Sequence, residues 1–264
     1  MGGQQSIRRL SVRVGIALGM AVSATLAGSA SAQSVNNARR GIADSPTLVT
    51  VASAILPGLG QAMMHQRRSL AYFLLEGAGI GFYIRENRDG VRQRDKYRQI
   101  SQTVARAPFS PTGPRGDWDY YERMEKYAAS GVFDAVAGGQ IDPEADPETY
   151  NGSVWLLARQ TYWRDPNTPP PSTAEEYQAA IKFYTDRAVT PEFRWSWLGA
   201  PEAFQKYRSA IAGSNSSFKS AEKTVSLILA NHFLSAVDAY VSVQARVRRS
   251  ADGSVWLTGS FALP

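Results

Sequence analysis

The chain has no cysteine and only two histidines in 264 residues. Without cysteine there is no disulfide framework, no thiolate chemistry and no thiolate ligand for structural zinc. With only His65 and His232, a histidine-rich metal site is excluded as well, so no metal and no cofactor is expected. No basic run exceeds Arg67-Arg68 or Arg248-Arg249, which argues against a nucleic-acid partner. Repeating alternating strands are also missing, and an outer-membrane barrel cannot be built without them. No serine sits in a nucleophile-elbow context.

The first 32 residues have the anatomy of a secretory signal. Arg8, Arg9 and Arg13 form a basic start, Val14 to Ala27 an apolar stretch, and Ala30-Ser31-Ala32 a small-residue cleavage site. Small residues at its end argue against a retained anchor, and the residues after Arg8-Arg9 fit a twin-arginine signal poorly. Cleavage after Ala32 would remove three of 29 basic residues and leave 26 against 23 acidic, a formal charge of +3 rather than +6. The expected location is an exported bacterial cell envelope, membrane-associated and facing the periplasm. The remaining 230 or so residues fit one domain with long connections, or a domain with a large insertion.

The chain is organised around Leu56-Pro57-Gly58-Leu59-Gly60-Gln61, which lies between two apolar stretches, Thr47 to Ala54 and Ser69 to Ile84. Pro57 removes a backbone donor and disfavours helix at Leu56, while Gly58 and Gly60 permit positive φ. A first helix, opened by Ser45-Pro46, should therefore stop near Ile55. This reads either as an ordinary loop or as a tight re-entry between two helices in or on a bilayer. Residues 33 to 45 form a flexible lead before it.

The second apolar run is sixteen residues, or roughly 24 Å as helix, short against a hydrocarbon core of about 30 Å. Glu76 lies at its middle, so its carboxyl needs a partner, and Gly77, Gly79 and Gly81 beside it should let another helix approach. Arg85 to Asp89 opens a charged helical continuation to about Ala105. The hairpin and its extension thus cover 46 to 107.

Residues 108 to 200 change character: prolines, aromatics and acids dominate, as in an aqueous insertion of short helices. Asp117 can cap a helix from Trp118 to Ser130, Trp155 to Trp163 is another, and Ser172-Thr173-Ala174-Glu175 is a capping box for a helix to about Arg187. Pro169-Pro170-Pro171 should form a stiff spacer before it. Asp142, Glu144 and Asp146 alternate as calcium ligands can, but Pro147 replaces the required glycine and no closing glutamate follows. The cluster Trp118, Tyr120, Tyr121, Trp155, Tyr162, Trp163, Trp195 and Trp197 reads first as small-domain core, then as an interfacial belt or sugar platform.

Closing helices are expected over 201 to 249, the last one long, from about Ser220 to Val247. Asn231, Ser235, Asp238 and Ser242 recur at spacings of four, three and four, a polar stripe on an otherwise apolar helix. Residues 250 to 264 read as a turn and a short strand or hairpin. The fold class is all-α: a short membrane-associated helical hairpin packed with a long closing helix and carrying a mostly helical polar insertion.

Leu56 to Gln61, followed by a basic pair and a glycine-rich apolar helix, resembles the PGxGQ hairpin of an uncharacterised bacterial membrane family, a domain of unknown function. Lys206-Tyr207-Arg208, Asn231-His232 and Ser235 to Tyr240 are similar to that family's closing helix, where an Asn-His pair precedes Asp-Ala-Tyr. The likeness covers roughly 46 to 104 and 202 to 248. It departs at Met63-Met64, where an aromatic commonly follows the glutamine. What it implies is membrane association without an assigned activity.

Three functions compete. In the first, a non-enzymatic envelope protein of structural or scaffolding type, Gln61, Glu76, Asn231, His232 and Asp238 satisfy one another inside a packed bundle around the turn Pro57, Gly58 and Gly60. Its partners are membrane lipid and an envelope protein or a second copy. The second makes Glu76, Asn231 and Asp238 a lipid-headgroup or small-ion site, and requires Glu76 and Asp238 to share a cavity. The third, a hydrolase with His232 as base and Asp238 or Glu76 orienting it, is disfavoured because Asp238 lies six residues away on a different helix face and no serine has a nucleophile-elbow context.

Overall fold

A computed structural model describes residues 45–251 apart from Ala137. The expected signal peptide, nearly all of the flexible lead and the terminal strand lie outside the described residues. Within them the fold is all-helical, and the nearest approach to a sheet is an isolated antiparallel bridge between Ala129 and Ser196.

Helix α1 (Pro46–Ile55) begins where Ser45 accepts from the Leu48 amide and Pro46 fills the first turn. It ends at Leu56, as the proline requires. The turn contains a five-residue helix α2 (Leu59–Met63) that sequence reading does not anticipate. Helix α3 (Ser69–Ile100) follows and widens into a π-helical turn at Ser101–Ala105. The insertion holds α4 (Trp118–Lys126), α5 (Tyr150–Tyr162), α6 (Glu175–Thr185) and a 3-10 turn at Pro191–Phe193. Helix α7 (Pro201–Ala251) closes the chain as one unbroken helix of 51 residues, about 76 Å long. The several closing helices expected over 201 to 249 are thus a single one, with Pro201 at the position where a missing amide costs nothing.

α3 runs antiparallel to α7: Tyr97 packs on Tyr207, Gly90 lies under Phe218, and Gly79 lies under Ile228. A Cβ on Gly79 would come within 2.9 Å of the Ile228 side chain, so here the close approach expected of the glycine cluster is real. Gly77 and Gly81 differ, since a Cβ on either would meet open space. Two residues along a helix is a rotation of about 200°, which puts Gly77 and Gly81 on another face.

Three boundaries in the insertion shift from expectation. α4 stops at Lys126 rather than Ser130 because Ala128 to Ser130 become extended and bond to the backbone of Trp195 and Trp197. α5 starts five residues before Trp155, capped by Thr149, which accepts from the Gly152 amide. The Ser172 capping box does not form: Ala174 is the capping residue of α6 and makes no side-chain cap.

Most of the aromatic cluster is core, with Trp118 half-buried at its edge and Tyr162 exposed. Trp195, Trp197, Tyr120, Tyr121 and Met124 pack with Tyr97 and Tyr207 where the insertion meets α3 and α7, and Trp155, Trp163 and Tyr184 form a second centre between α5 and α6. Polar tips of these rings donate to backbone carbonyls: Trp195 to Tyr127, Trp197 to Met124, Tyr207 to Tyr121 and Tyr184 to Phe133. Burial raises the phenols of Tyr97, Tyr120 and Tyr207 above the ordinary value of 10 and takes Tyr184 to about 12. Asp142, Glu144 and Asp146 belong to turns. Glu144 accepts from the Val132 and Asp146 amides, and Asp146 from Glu148. Among the described residues no acidic or histidine cluster has the form of a metal site.

Candidate functional site

The polar bundle lies where the re-entry meets α7. α1 runs inward until Ala54 reaches His232, the turn reverses the chain outward to Gln61 beside Asp238, and α3 then starts inward again at Ser69. α1 therefore runs beside the stretch of α7 that the first two turns of α3 also cover, with Ala54 and Glu76 both meeting His232. Gly58 has φ 91°, and a Cβ there would come 2.6 Å from the Ser69 carbonyl. A Cβ on Gly60 would be 2.3 Å from the Val49 carbonyl oxygen; Gly58 is thus required by its positive φ and by close approach, whereas Gly60 lies inside α2 without a positive φ and is required by close approach alone.

Gln61, fully buried, is the centre of one cluster. Its Oε1 accepts from the Ser53 hydroxyl at 2.9 Å and from the Ser235 hydroxyl at 3.3 Å. Its Nε2 donates to the Ser235 carbonyl at 2.9 Å and to Asp238 Oδ2 at 2.8 Å. The same serine hydroxyls accept from the turn amides, Ser235 from Gly58 at 2.7 Å and Ser53 from Gly60 at 2.9 Å. The turn's orphan backbone donors are thus capped by side chains from α1 and α7. Asp238 Oδ1 pairs with Arg68 at 2.9 Å, and Arg68 also donates to Ser242.

Glu76 is the centre of the other cluster and is 8% exposed. Asn231 Nδ2 donates to Glu76 Oε2 at 3.1 Å and to the Tyr72 carbonyl at 3.2 Å. His232 places Nδ1 2.8 Å from the Ala54 carbonyl and Nε2 3.1 Å from Glu76 Oε1. A carbonyl oxygen only accepts, so Nδ1 carries a hydrogen. The Nε2 side of the ring faces the Glu76 carboxyl group. This ties the tip of the re-entry to both long helices.

All five polar residues singled out in the sequence are thus brought to one interface, but as two clusters. Glu76 and Asp238 take separate partners, contrary to the requirement of a shared ligand cavity. Two clefts, of about 410 Å³ beside Arg98 and Arg115 and about 580 Å³ beside Val104 and Lys206, lie at the insertion end. His232 and Asp238 are not bonded to each other; of the two carboxylates weighed as orienting the imidazole, it is Glu76 that meets it, at Nε2 and 3.1 Å.

Sequence reading misses Ser53, Arg68 and Arg106. Ser53 lies eight residues before Gln61 on the apolar helix, a lone hydroxyl without periodic signal. Arg106 is fully buried where the insertion leaves the π-helical turn; it donates to Gln102 at 3.0 Å and to the carbonyls of Pro114 at 2.8 Å and Glu192 at 3.0 Å. Nothing in its neighbourhood in sequence marks it as the cation that closes the module.

Around the two clusters the surface is apolar. Leu48, Val51 and Ile55 on α1, Leu70, Leu74, Ile80 and Ile84 on α3, and Leu227, Leu229, Phe233, Val237 and Val241 on α7 are all exposed, with Leu74 at 73% and Leu227 at 70%. The belt spans about 21 Å from Leu70 to Ile84 on α3 and about 24 Å from Val225 to Val241 on α7. α7 contains a stretch long and apolar enough to cross a membrane, by length and composition. The class these features define is an all-α protein with a re-entrant helical hairpin, a polar interior and an apolar girdle. Comparison with protein-family models, with curated proteins and with solved structures finds no match to this chain.

Proposed function

We propose that the chain is a membrane-anchored protein of the cell envelope, structural or scaffolding in type and without catalytic activity of its own. The observation that carries this reading is an inversion of the usual soluble pattern. Glu76, Gln61, Asn231 and Ser235 face inward and satisfy one another, while leucine, valine and phenylalanine face outward around the same three helices. In water such a girdle would be an aggregation surface, whereas in hydrocarbon it is the solvated face. Polar residues inside a membrane bundle then act as its adhesive.

The anchor holds the insertion away from the bilayer. Between Ile84 and Ile100 α3 continues for about 24 Å as a charged helix paired with α7. The module of α4 to α6 therefore stands off at the end of a two-helix stalk, where a partner protein or a second copy can reach it. Export rests on the features of residues 1 to 32, and the resemblance to the PGxGQ family rests on the turn and on the Asn231 to Tyr240 segment.

Alkaline carbonate extraction of native membranes tests the anchor: retention in the pellet is expected, and quantitative release would end the membrane reading. Glu76→Gln tests the structural role. It leaves shape unchanged but removes the carboxylate that faces Asn231 and His232, so a fall in the melting temperature in detergent is expected. A variant that melts like the wild type but loses response to a lipid or ion would favour the binding-site reading.

A further inference from the structure

The two ends of the apolar girdle differ in charge, and the difference assigns a lipid partner. At the insertion end, where the girdle meets the stalk, both signs alternate: Arg85, Glu86, Arg88 and Asp89 on α3 lie alongside Lys219, Glu222 and Lys223 on α7. At the other end, residues 45–68 and 239–251 contain five arginines and no aspartate or glutamate. Arg68 is held by Asp238, whereas Arg67, Arg248 and Arg249 are exposed. The antiparallel packing that sets Arg68 beside Asp238 and Ser242 brings Arg67 to the same rim as the last turns of α7.

We infer that this cationic rim docks on the phosphate headgroups of an anionic lipid leaflet, with the girdle in the hydrocarbon beneath it. This rests on the membrane reading above and adds the lipid class and the orientation. Guanidinium groups bond phosphate in a two-pronged geometry, and their stems can lie along the apolar edge while the charged heads reach the interface. A rim of mixed sign has no such preference. The insertion carries 14 acidic and eight basic residues between 108 and 200, a formal charge of −6, so an anionic surface repels it and attracts the opposite end. The charge pattern thus points the module away from the leaflet that the rim grips.

The test is flotation of the full chain after detergent dilution onto preformed vesicles, either pure phosphatidylcholine or a three-to-one mixture with phosphatidylglycerol. About fivefold per arginine near a charged surface predicts roughly a hundredfold stronger partition onto the mixed vesicles, lost in about 0.5 M salt, where screening is near complete. The triple variant Arg67→Gln, Arg248→Gln, Arg249→Gln changes only exposed side chains and should float on phosphatidylcholine as the wild type does, but without the gain from phosphatidylglycerol. Equal wild-type partition onto both vesicles, or a triple variant that keeps the full gain, overturns the rim and leaves the anchor standing. Failure to float on either vesicle overturns both.

Discussion

Gln61 is the side chain on which the re-entrant turn most depends, and Gln61→Leu isolates its contribution. Leucine fills nearly the same volume, so packing changes little, but four hydrogen-bond contacts disappear. The hydroxyls of Ser53 and Ser235 keep the Gly60 and Gly58 amides as donors and lose an acceptor, while Asp238 keeps Arg68 and loses the amide. The 3.3 Å contact from the Ser235 hydroxyl is too long to count as a full bond, and the other three, two neutral at about 1 kcal/mol each and one charge-assisted at about 2 kcal/mol, come to roughly 4 kcal/mol. The smaller values measured between transmembrane helices, about 0.6 kcal/mol per bond, bring the same three to about 2 kcal/mol. The cost falls on the local opening of the turn, because α3 and α7 remain paired along the stalk and through Tyr97 and Tyr207. Hydrogen exchange by mass spectrometry in micelles reads it directly: the Gly58 and Gly60 amides should exchange roughly thirty- to a thousandfold faster, at about 1.4 kcal/mol per decade. Peptides from α5 serve as an internal reference and should not change. Protection at Gly58 and Gly60 within about threefold of the wild type would refute the claim that side-chain capping holds the turn.

Two further outcomes follow from the insertion. Arg106→Lys keeps the charge but cannot reach Gln102, Pro114 and Glu192 together, so a loss of about 3 kcal/mol is expected from two charge-assisted bonds; differential scanning calorimetry should show the module melting earlier, and an unchanged transition would contradict the role given to the guanidinium. The buried phenols make the module alkali-sensitive: below about pH 10 both states keep the proton, and above it the unfolded chain releases protons that Tyr97, Tyr120, Tyr184 and Tyr207 retain when folded, so stability falls as pH rises. Each contributes about 1.4 kcal/mol per pH unit, and tyrosinate absorbance should appear together with unfolding between about pH 10 and 12 rather than before it.

The sequence by itself determined the elements that depend on local rules. Pro57 ends α1 at Leu56 whatever surrounds it, since a missing amide and a steric clash act within two residues. Gly58 and Gly60 mark a turn for the same kind of reason, and Asp117 starts α4 because a carboxylate can reach an amide three residues on. The stripe Asn231, Ser235, Asp238 and Ser242 was legible because helical periodicity alone puts those residues on one face. One failure was local, since the Ser172 capping box is outweighed where Ala174 becomes the cap, and another was not, since the tail of α4 is drawn off by the bridge between Ala129 and Ser196, partners far apart in the chain. Only the tertiary structure decided which polar groups meet. The sequence left Glu76 and Asp238 open to mutual packing or to a shared cavity, and the packing gives each its own cluster, while no pattern shows Ser53 reaching Gln61. The role of Gly79, as against Gly77 and Gly81, depends on the side of α3 that α7 occupies. Arg106 depends on carbonyls 8 and 86 residues away. Contacts of that range are set by how the helices stack, and that is a property of the whole chain rather than of any window in it.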